Sequence, residues 1–340
     1  MTMKNATLMT MTLDKLIQIY LSTLQTEGKS PRYLDWLDIR LRYFLDLMHK
    51  RHGEEINARD MTLEDGREFM RELMTREERF RGHPMIAAQA GKLSISYVHG
   101  MGRALRSFSN WAHEEGYLEE HVMYRLKLPP IPKTQPEPLT EDEIRRVLTM
   151  TLYHTLERLR NFSMMMLFFD TGLRLSELLN LKLSCVDLPL GEMTVIGKGN
   201  KERKVPMGAQ AKKAMIDYLS KERPKPQNPR DEDRVYLTAE GNPVSQVVVH
   251  KMFQRVRKAA GVPRLHPHVC RHTFAVRYLV HGGDVFSLQK ILGHSSLEMT
   301  RRYVNLASDD VKDKHRRFSP MDNLNFRTVT RRGRPKRATE

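Results

Sequence analysis

The sequence predicts a mainly α protein of two domains: an N-terminal bundle of four helices, then a mixed α/β domain holding a small β-hairpin. Three observations point there. Apolar residues recur at helical spacing through the first third of the chain. The stretch LPPIPKTQPEP, Leu128 to Pro138, then packs five prolines into a segment that no helix can cross. Further on, the turn formers Gly197-Lys198-Gly199-Asn200 separate two β-prone runs, the pattern of a hairpin. A chain of 340 residues, 40% hydrophobic, is long and apolar enough for two cores.

In order, the first helix opens at Thr12-Leu13-Asp14-Lys15, carries Leu16, Ile17, Tyr20, Leu21 and Leu24 on one side, and ends at Gly28. Pro31 begins the second, with Leu34, Leu37, Leu41, Phe44 and Leu45, closing at Gly53. A third is expected over 62–79, followed by the loop Arg81-Gly82-His83-Pro84. The fourth carries Ile95, Val98, Leu105, Phe108 and Trp111 up to Gly116. Lys92, Arg103 and Arg106 are expected on the bundle surface as contacts to a polyanion. The bundle should span 1–127, the linker 128–138, and the second domain 139–307, with a segment 308–326 and a basic tail 327–340 beyond.

After the linker, Thr140 and Glu143 have the spacing of a capping box. The helix they start should run from Ile144 to about Leu159, followed by a buried one over NFSMMMLFFD, its methionines filling core. Strands are expected at 193–196 and 204–206. Helices follow at about 208–220, 245–260, 267–281, 284–292 and 296–305. There is no internal repeat.

Composition narrows the partners. Lys and Arg number 57 against 41 Asp and Glu, a formal net charge of +16. With both signs plentiful, this describes folded domains presenting a basic face, which suits nucleic acid best and an anionic membrane surface second. The two cysteines, Cys185 and Cys270, fall inside apolar or helical patterns, so a disulfide framework is not expected and a reducing compartment is. The longest apolar run, Met164 to Phe169, is too short to span a bilayer, and the N-terminus has no secretory pattern. The expected location is the cytoplasm, on the nucleoid.

Four stretches carry residues with chemical potential. In HPHVCRHTFAVRYLVHG, His268 and Arg271 lie three apart on one helical face. His268 and His272 have the spacing of metal ligands, but Cys270 points away and nothing nearby completes a zinc site, so no metal is expected. In TGLRLSELLNL, Gly172 closes one helix and Arg174 starts the next, between two leucines; Glu177 is placed to orient it. Lys198 stands in the hairpin GKGNKERKVP between two glycines, which let backbone approach a phosphate closely. In LGHSSLEMTRRYVN, Gly293 ends a helix, His294 occupies the turn, Ser295 and Glu298 have capping-box spacing, and Tyr303 lies on the helix that follows.

Taken together and in this order, these residues resemble the tyrosine recombinase, or phage integrase, family. The matching positions are Arg174 in TGLRLSE, Lys198 in GKGNKE, His268 and Arg271 in HPHVCRH, His294 in LGHSS and Tyr303 in TRRYVN. The likeness spans about 139–305, with Cys270 a departure where many relatives carry a bulkier aliphatic residue. The helical N-terminal region resembles the family's core-binding domain by pattern rather than by motif. No additional arm-binding domain is expected.

The resemblance implies two domains clamping double-stranded DNA at a specific core site. Arg174 and Arg271 would hold the non-bridging oxygens of one phosphodiester through charge-assisted bonds that strengthen in the transition state. His268 and His294 would add hydrogen bonds and proton handling. Tyr303 would be the nucleophile, Lys198 the general acid, and Glu177 a support. A 3′-phosphotyrosyl link would conserve the energy of the broken bond, so neither nucleotide cofactor nor metal is required.

The family works as a homotetramer on DNA through a Holliday junction, and accessory DNA-bending proteins are further partners it admits. Relatives pass a C-terminal element to the neighbouring subunit; Val311, Phe318 and Met321 are the candidates for that docking. The tail RRGRPKR resembles an AT-hook, with Arg332, Arg334 and Lys336 as candidate DNA contacts. The leading expectation is integration or excision of a mobile element. A Xer-type dimer resolvase, a type IB topoisomerase-like enzyme and a non-catalytic DNA-binding regulator remain open.

Overall fold

The computed structural model describes residues 11–79, 87–131, 137–153, 155–197, 201–294, 296–304 and 319–321, the last few helical positions 299, 302 and 304 in backbone only. The chain divides into two compact units, Met1–Thr134 and Gln135–Glu340.

The first unit is the helical one. Its helices are α1 (Leu13–Thr26), α2 (Pro31–His52), α3 (Leu63–Thr75) and α4 (Ile95–Glu114). Thr12, Ser30, Thr62 and Ser94 each cap the next helix by accepting a backbone N–H. Thr62 and Asp65 form a reciprocal capping box. The apolar faces meet in one core, where Tyr20 lies against Phe108 and Trp111 and Phe44 meets Phe69 edge-on at 5.3 Å. Ile95, expected on that face, is exposed at the first residue of α4.

The third helix is shorter than the expected 62–79. It stops at Thr75, Arg76 turns extended, and β1 (Glu78–Arg79) pairs antiparallel with β2 (Gln89–Ala90). Arg76 to Arg79 offer no apolar side chain to bury, so another helical turn has nothing to hold it. Leu128 packs on this core and Pro129 O pairs with His99 Nδ1, so the start of the proline segment belongs to the bundle.

The second unit is built around a buried helix, α6 (Arg158–Thr171), packed by α5 (Glu141–Tyr153), α8 (Ala209–Lys221) and α10 (Pro267–Val280). Met164 and Met165 are fully buried there. The expected Thr140–Glu143 box is present at the start of α5. That helix ends at Tyr153 rather than Leu159, which instead lies in α6. Hydroxyls of Thr151 and Thr155 back-bond to Val147 O and Thr151 O, competing with the helical ladder at this point.

After α7 (Leu175–Leu179), the sheet has three strands: β3 (Val186–Asp187), β4 (Glu192–Ile196) and β5 (Glu202–Pro206), in the antiparallel order β3-β4-β5. Met193 opposes Val205 and Val195 opposes Arg203, so these four share the buried face. Helices α9 (Gln246–Ala260), α11 (Val285–Leu292) and α12 (Glu298–Val304) complete the unit. α12 begins two residues later than expected, because Leu297 O accepts its first N–H groups; Ser295 lies outside the described residues. Most of 308–326 and all of the tail also lie outside them.

The exit from the linker is pinned to the second unit. Leu139 N donates to Thr273 Oγ1 on α10, and Arg264 holds the Glu143 carboxylate with both terminal nitrogens.

Candidate active site

The site forms where the ends of α6, α10 and α11 meet the sheet. Gly172 ends α6 with φ +61°, and a Cβ there would stand 2.5 Å from the Phe274 ring on α10, so only glycine permits this approach. The glycine's carbonyl accepts from Arg271 Nη1 at 2.7 Å. Arg271 is buried on α10, and its Nη2 donates to Leu292 O at 2.7 Å and meets His294 Nε2 at 3.1 Å. Among the described residues no carboxylate bonds it directly. Burial, with Arg174 nearby adding to it, pushes the guanidinium down to about 10, and it remains a cation at neutral pH.

An arginine can only donate, so His294 Nε2 is the acceptor in that contact. The ring proton therefore sits on Nδ1, which donates to Thr300 Oγ1 at 2.9 Å on α12. This fixes a neutral imidazole with a defined tautomer next to a buried cation.

Arg174 caps α7. Its backbone N–H and Nη1 both donate to the buried Glu177 carboxylate, at 2.8 and 2.7 Å. Burial would raise that carboxyl, but hydrogen bonds from Arg203 and Arg174 outweigh it and hold Glu177 below the ordinary carboxylate range. Three guanidinium groups thus face one carboxylate, leaving an excess of positive charge.

His268 is exposed in the first turn of α10, one residue after Pro267. Partial desolvation, with His266 and the cations Arg271 and Arg174 as neighbours, lowers its pKa below the ordinary imidazole value. Tyr303 is 3% exposed, its ring stacked with His294 (centroids 6.1 Å apart, planes 15°) and tilted against His272 at 5.4 Å.

The structure therefore brings together Arg174, Glu177, His268, Arg271, His294 and Tyr303. Lys198 lies outside the described residues; of its neighbours in the chain, Gly197 N donates to Lys201 O at 2.8 Å. Lys92 and Arg103 are exposed in the first unit, and Arg106, partly exposed there, donates to Tyr124 O. Arg332, Arg334 and Lys336 lie outside the described residues. Sequence reading missed Arg203 and Thr300, and weighed His272 only as a metal ligand. Arg203 had a signal: in ERKVP, strand alternation puts it on the same face as Val205. Among the described residues no group of three or more His, Cys, Asp or Glu is placed to hold a metal ion, and no helix is long and apolar enough to cross a membrane.

A helical unit followed by a cationic pocket around a tyrosine defines a DNA strand-exchange enzyme of the tyrosine type. The chain belongs to the phage integrase family, whose pattern covers residues 137–309. It is 31% identical over 241 residues to the tyrosine recombinase XerD of Listeria monocytogenes serotype 4b, covering 70% of this chain and 81% of that relative. With the XerD of Staphylococcus aureus Mu50 it shares 28% identity over 310 residues, 91% of this chain and 99% of the relative. Its fold is similar to that of the Tn1549 transposon integrase in complex with a circular intermediate DNA, with a TM-score of 0.65 at 18% identity, covering 89% of this chain and 97% of that one. The protein is a site-specific DNA recombinase.

Proposed function

We propose that the pocket grips one phosphodiester of double-stranded DNA and exchanges its 5′-linked sugar for Tyr303. Arg174 and Arg271 bind the two non-bridging oxygens, where negative charge grows as phosphorus becomes pentacoordinate. The Tyr303 oxygen passes its proton to the His268 imidazole and forms the new bond to phosphorus. The bond to the 5′ oxygen breaks, and that oxygen takes a proton from Lys198. His268, once protonated, hydrogen-bonds a phosphoryl oxygen, and His294, its two nitrogens already held by Arg271 and Thr300, steadies that arginine. Reversal by a 5′-hydroxyl of another strand completes the exchange. Because the bond energy stays in the phosphotyrosine, no nucleotide cofactor or metal enters.

One observation carries this reading: a buried arginine cation, bonded among the described residues only to carbonyls and a neutral imidazole, lies beside a second arginine and a tyrosine. Such a charge is suited to a ligand that brings its own negative charge. We read the biological role as integration or excision of a mobile element by a homotetramer on DNA, through a Holliday junction, with the basic tail and the bundle's Lys92, Arg103 and Arg106 on the duplex. Xer-type resolution of chromosome dimers is the second reading, favoured by the 31% identity to a XerD across 81% of its length.

The test is a nicked suicide duplex carrying the core site, mapped from DNA flanking the gene. The wild type should form a covalent adduct and Tyr303→Phe should bind without forming one. Binding with no adduct from either protein refutes catalysis; relaxed plasmid with no recombinant product favours the topoisomerase-like alternative. Truncation after Ala307 should spare binding by one subunit and remove cooperative assembly, read by sedimentation on DNA.

A further inference from the structure

Arg203 is a charged side chain on the buried face of a sheet, opposite Val195 and 12% exposed. Burying a guanidinium there has a desolvation cost that packing alone does not offset. Its bonds explain why it is kept. Nη1 and Nη2 donate to the two oxygens of Glu177 at 2.7 and 2.9 Å, and Nε donates to Ile291 O at 2.7 Å near the end of α11. The stem also fills the space beside Gly293: a Cβ at that glycine would lie 2.9–3.1 Å from Arg203 atoms, and its φ of +64° already disfavours any other residue. One side chain thus ties β5 to the acid that orients Arg174 and to the turn that carries His294.

The geometry at Glu177 gives the consequence. Arg203 engages both carboxylate oxygens as a fork, so Arg174 reaches the acid through one terminal nitrogen only, Nη1 to Oε1. Among the described residues its other terminal nitrogen has only a long 3.5 Å contact to Gly293 O, and the side chain keeps 29% of its surface exposed. Without Arg203, the buried carboxylate would draw Arg174 into the two-pronged pairing that such groups favour. Arg174 would then be turned from solvent toward its own protein.

We infer that Arg203 is a positioning residue for strand cleavage: it saturates Glu177 and so leaves the Arg174 guanidinium free to hold a phosphoryl oxygen. The inference rests on the reading of Arg174 given under Proposed function. Arg203 itself, with its bonds directed to Glu177 and Ile291, does not touch the phosphate.

The experiment is single-turnover cleavage of the nicked duplex by full-length wild type, Arg203→Met, Arg203→Lys and Arg174→Ala. Each is run on a natural scissile phosphate and on a methylphosphonate, in which a neutral methyl replaces one charged oxygen. Melting temperature and DNA affinity are measured alongside. Arg203→Met should cleave the natural phosphate about 100-fold more slowly with affinity within about twofold. Arg203→Lys, a point charge that cannot bridge both oxygens, should fall between, and covers the case in which the methionine variant fails to fold. On one methylphosphonate diastereomer the deficits of both Arg203 variants and of Arg174→Ala should shrink together to less than about tenfold.

If the Arg174→Ala deficit shrinks and the Arg203 deficits do not, the positioning role is overturned while the reading of Arg174 stands. If none shrinks, the reading of Arg174 itself fails and takes this inference with it. An Arg203 deficit that vanishes on cooling below the variant's melting transition also overturns the inference, since it reports folding alone.

Discussion

The two units handle charge in opposite ways. In the helical unit, ion pairs such as Arg42–Asp38 and Arg67–Glu64 run along exposed helix faces, and the one buried ion among its described core residues is Asp65, which completes the cap of α3. In the second unit, cations lie inside: Arg160 and Arg271 are buried, and Arg203 is mostly covered, its side chain 12% exposed. These three are not alike. Arg160 is satisfied by Glu157, Asn161 and Leu237 O, and acts as a staple between α6 and a loop. Arg271 is satisfied by carbonyls and one imidazole, and keeps its charge available. A buried cation marks chemistry when its partners leave it a cation in effect as well as in name.

That distinction can be broken at its strongest point first. Arg271→Ala should lower adduct formation by about 10²–10³-fold. Arg160→Met should lower the melting temperature, by about 1–3 kcal/mol of stability, with cleavage per folded molecule unchanged. Suicide-substrate kinetics beside calorimetry separate the two; a cleavage defect in folded Arg160→Met would erase the contrast. Next, Thr62→Ala should cost the helical unit about 0.5–2 kcal/mol in denaturant titration and leave the catalytic unit's transition in place.

A pH titration sharpens the comparison further. Glu177 and Asp65 are both held below the ordinary carboxylate range: burial raises each, and arginine bonds at one, and Thr62 and His52 at the other, more than reverse it. A depressed carboxyl stabilises the fold above its unfolded pKa, near 4.5 for Glu177 and 3.8 for Asp65, and that contribution is lost as pH falls through the folded value. The melting temperature of the second unit should therefore drop below about pH 4.5 and that of the helical unit below about pH 3.8. Glu177→Gln should flatten the acid limb of the catalytic unit only. The smallest effect belongs to the surface: Arg42→Ala should change stability by less than about 1 kcal/mol.

How much of this was legible in the sequence follows from the same physics. Arg174, His268, Arg271, His294 and Tyr303 stood in short motifs whose glycines and helix starts fix their placement, and the structure brings them together. The four bundle helices were readable because each buries a periodic face. The β1–β2 pair was not, since Glu78, Arg79, Gln89 and Ala90 are exposed and carry no apolar alternation. The break between α5 and α6 was hidden because threonine back-bonding leaves helical spacing intact. Arg203 was hidden because a charged residue in a five-residue strand reads as solvent-facing, and only its position two residues before the buried Val205 turns it inward.

Tyr303 shows a last consequence. If Tyr303 is the nucleophile proposed above, a phenol with 3% of its surface exposed and its ring nearly parallel to the His294 imidazole has to be uncovered before it can reach phosphorus. The enzyme at rest is a sheathed blade. On that reading the His294–Thr300 bond on the last helix is a contact to be undone first, and unsheathing precedes any bond making at the phosphate.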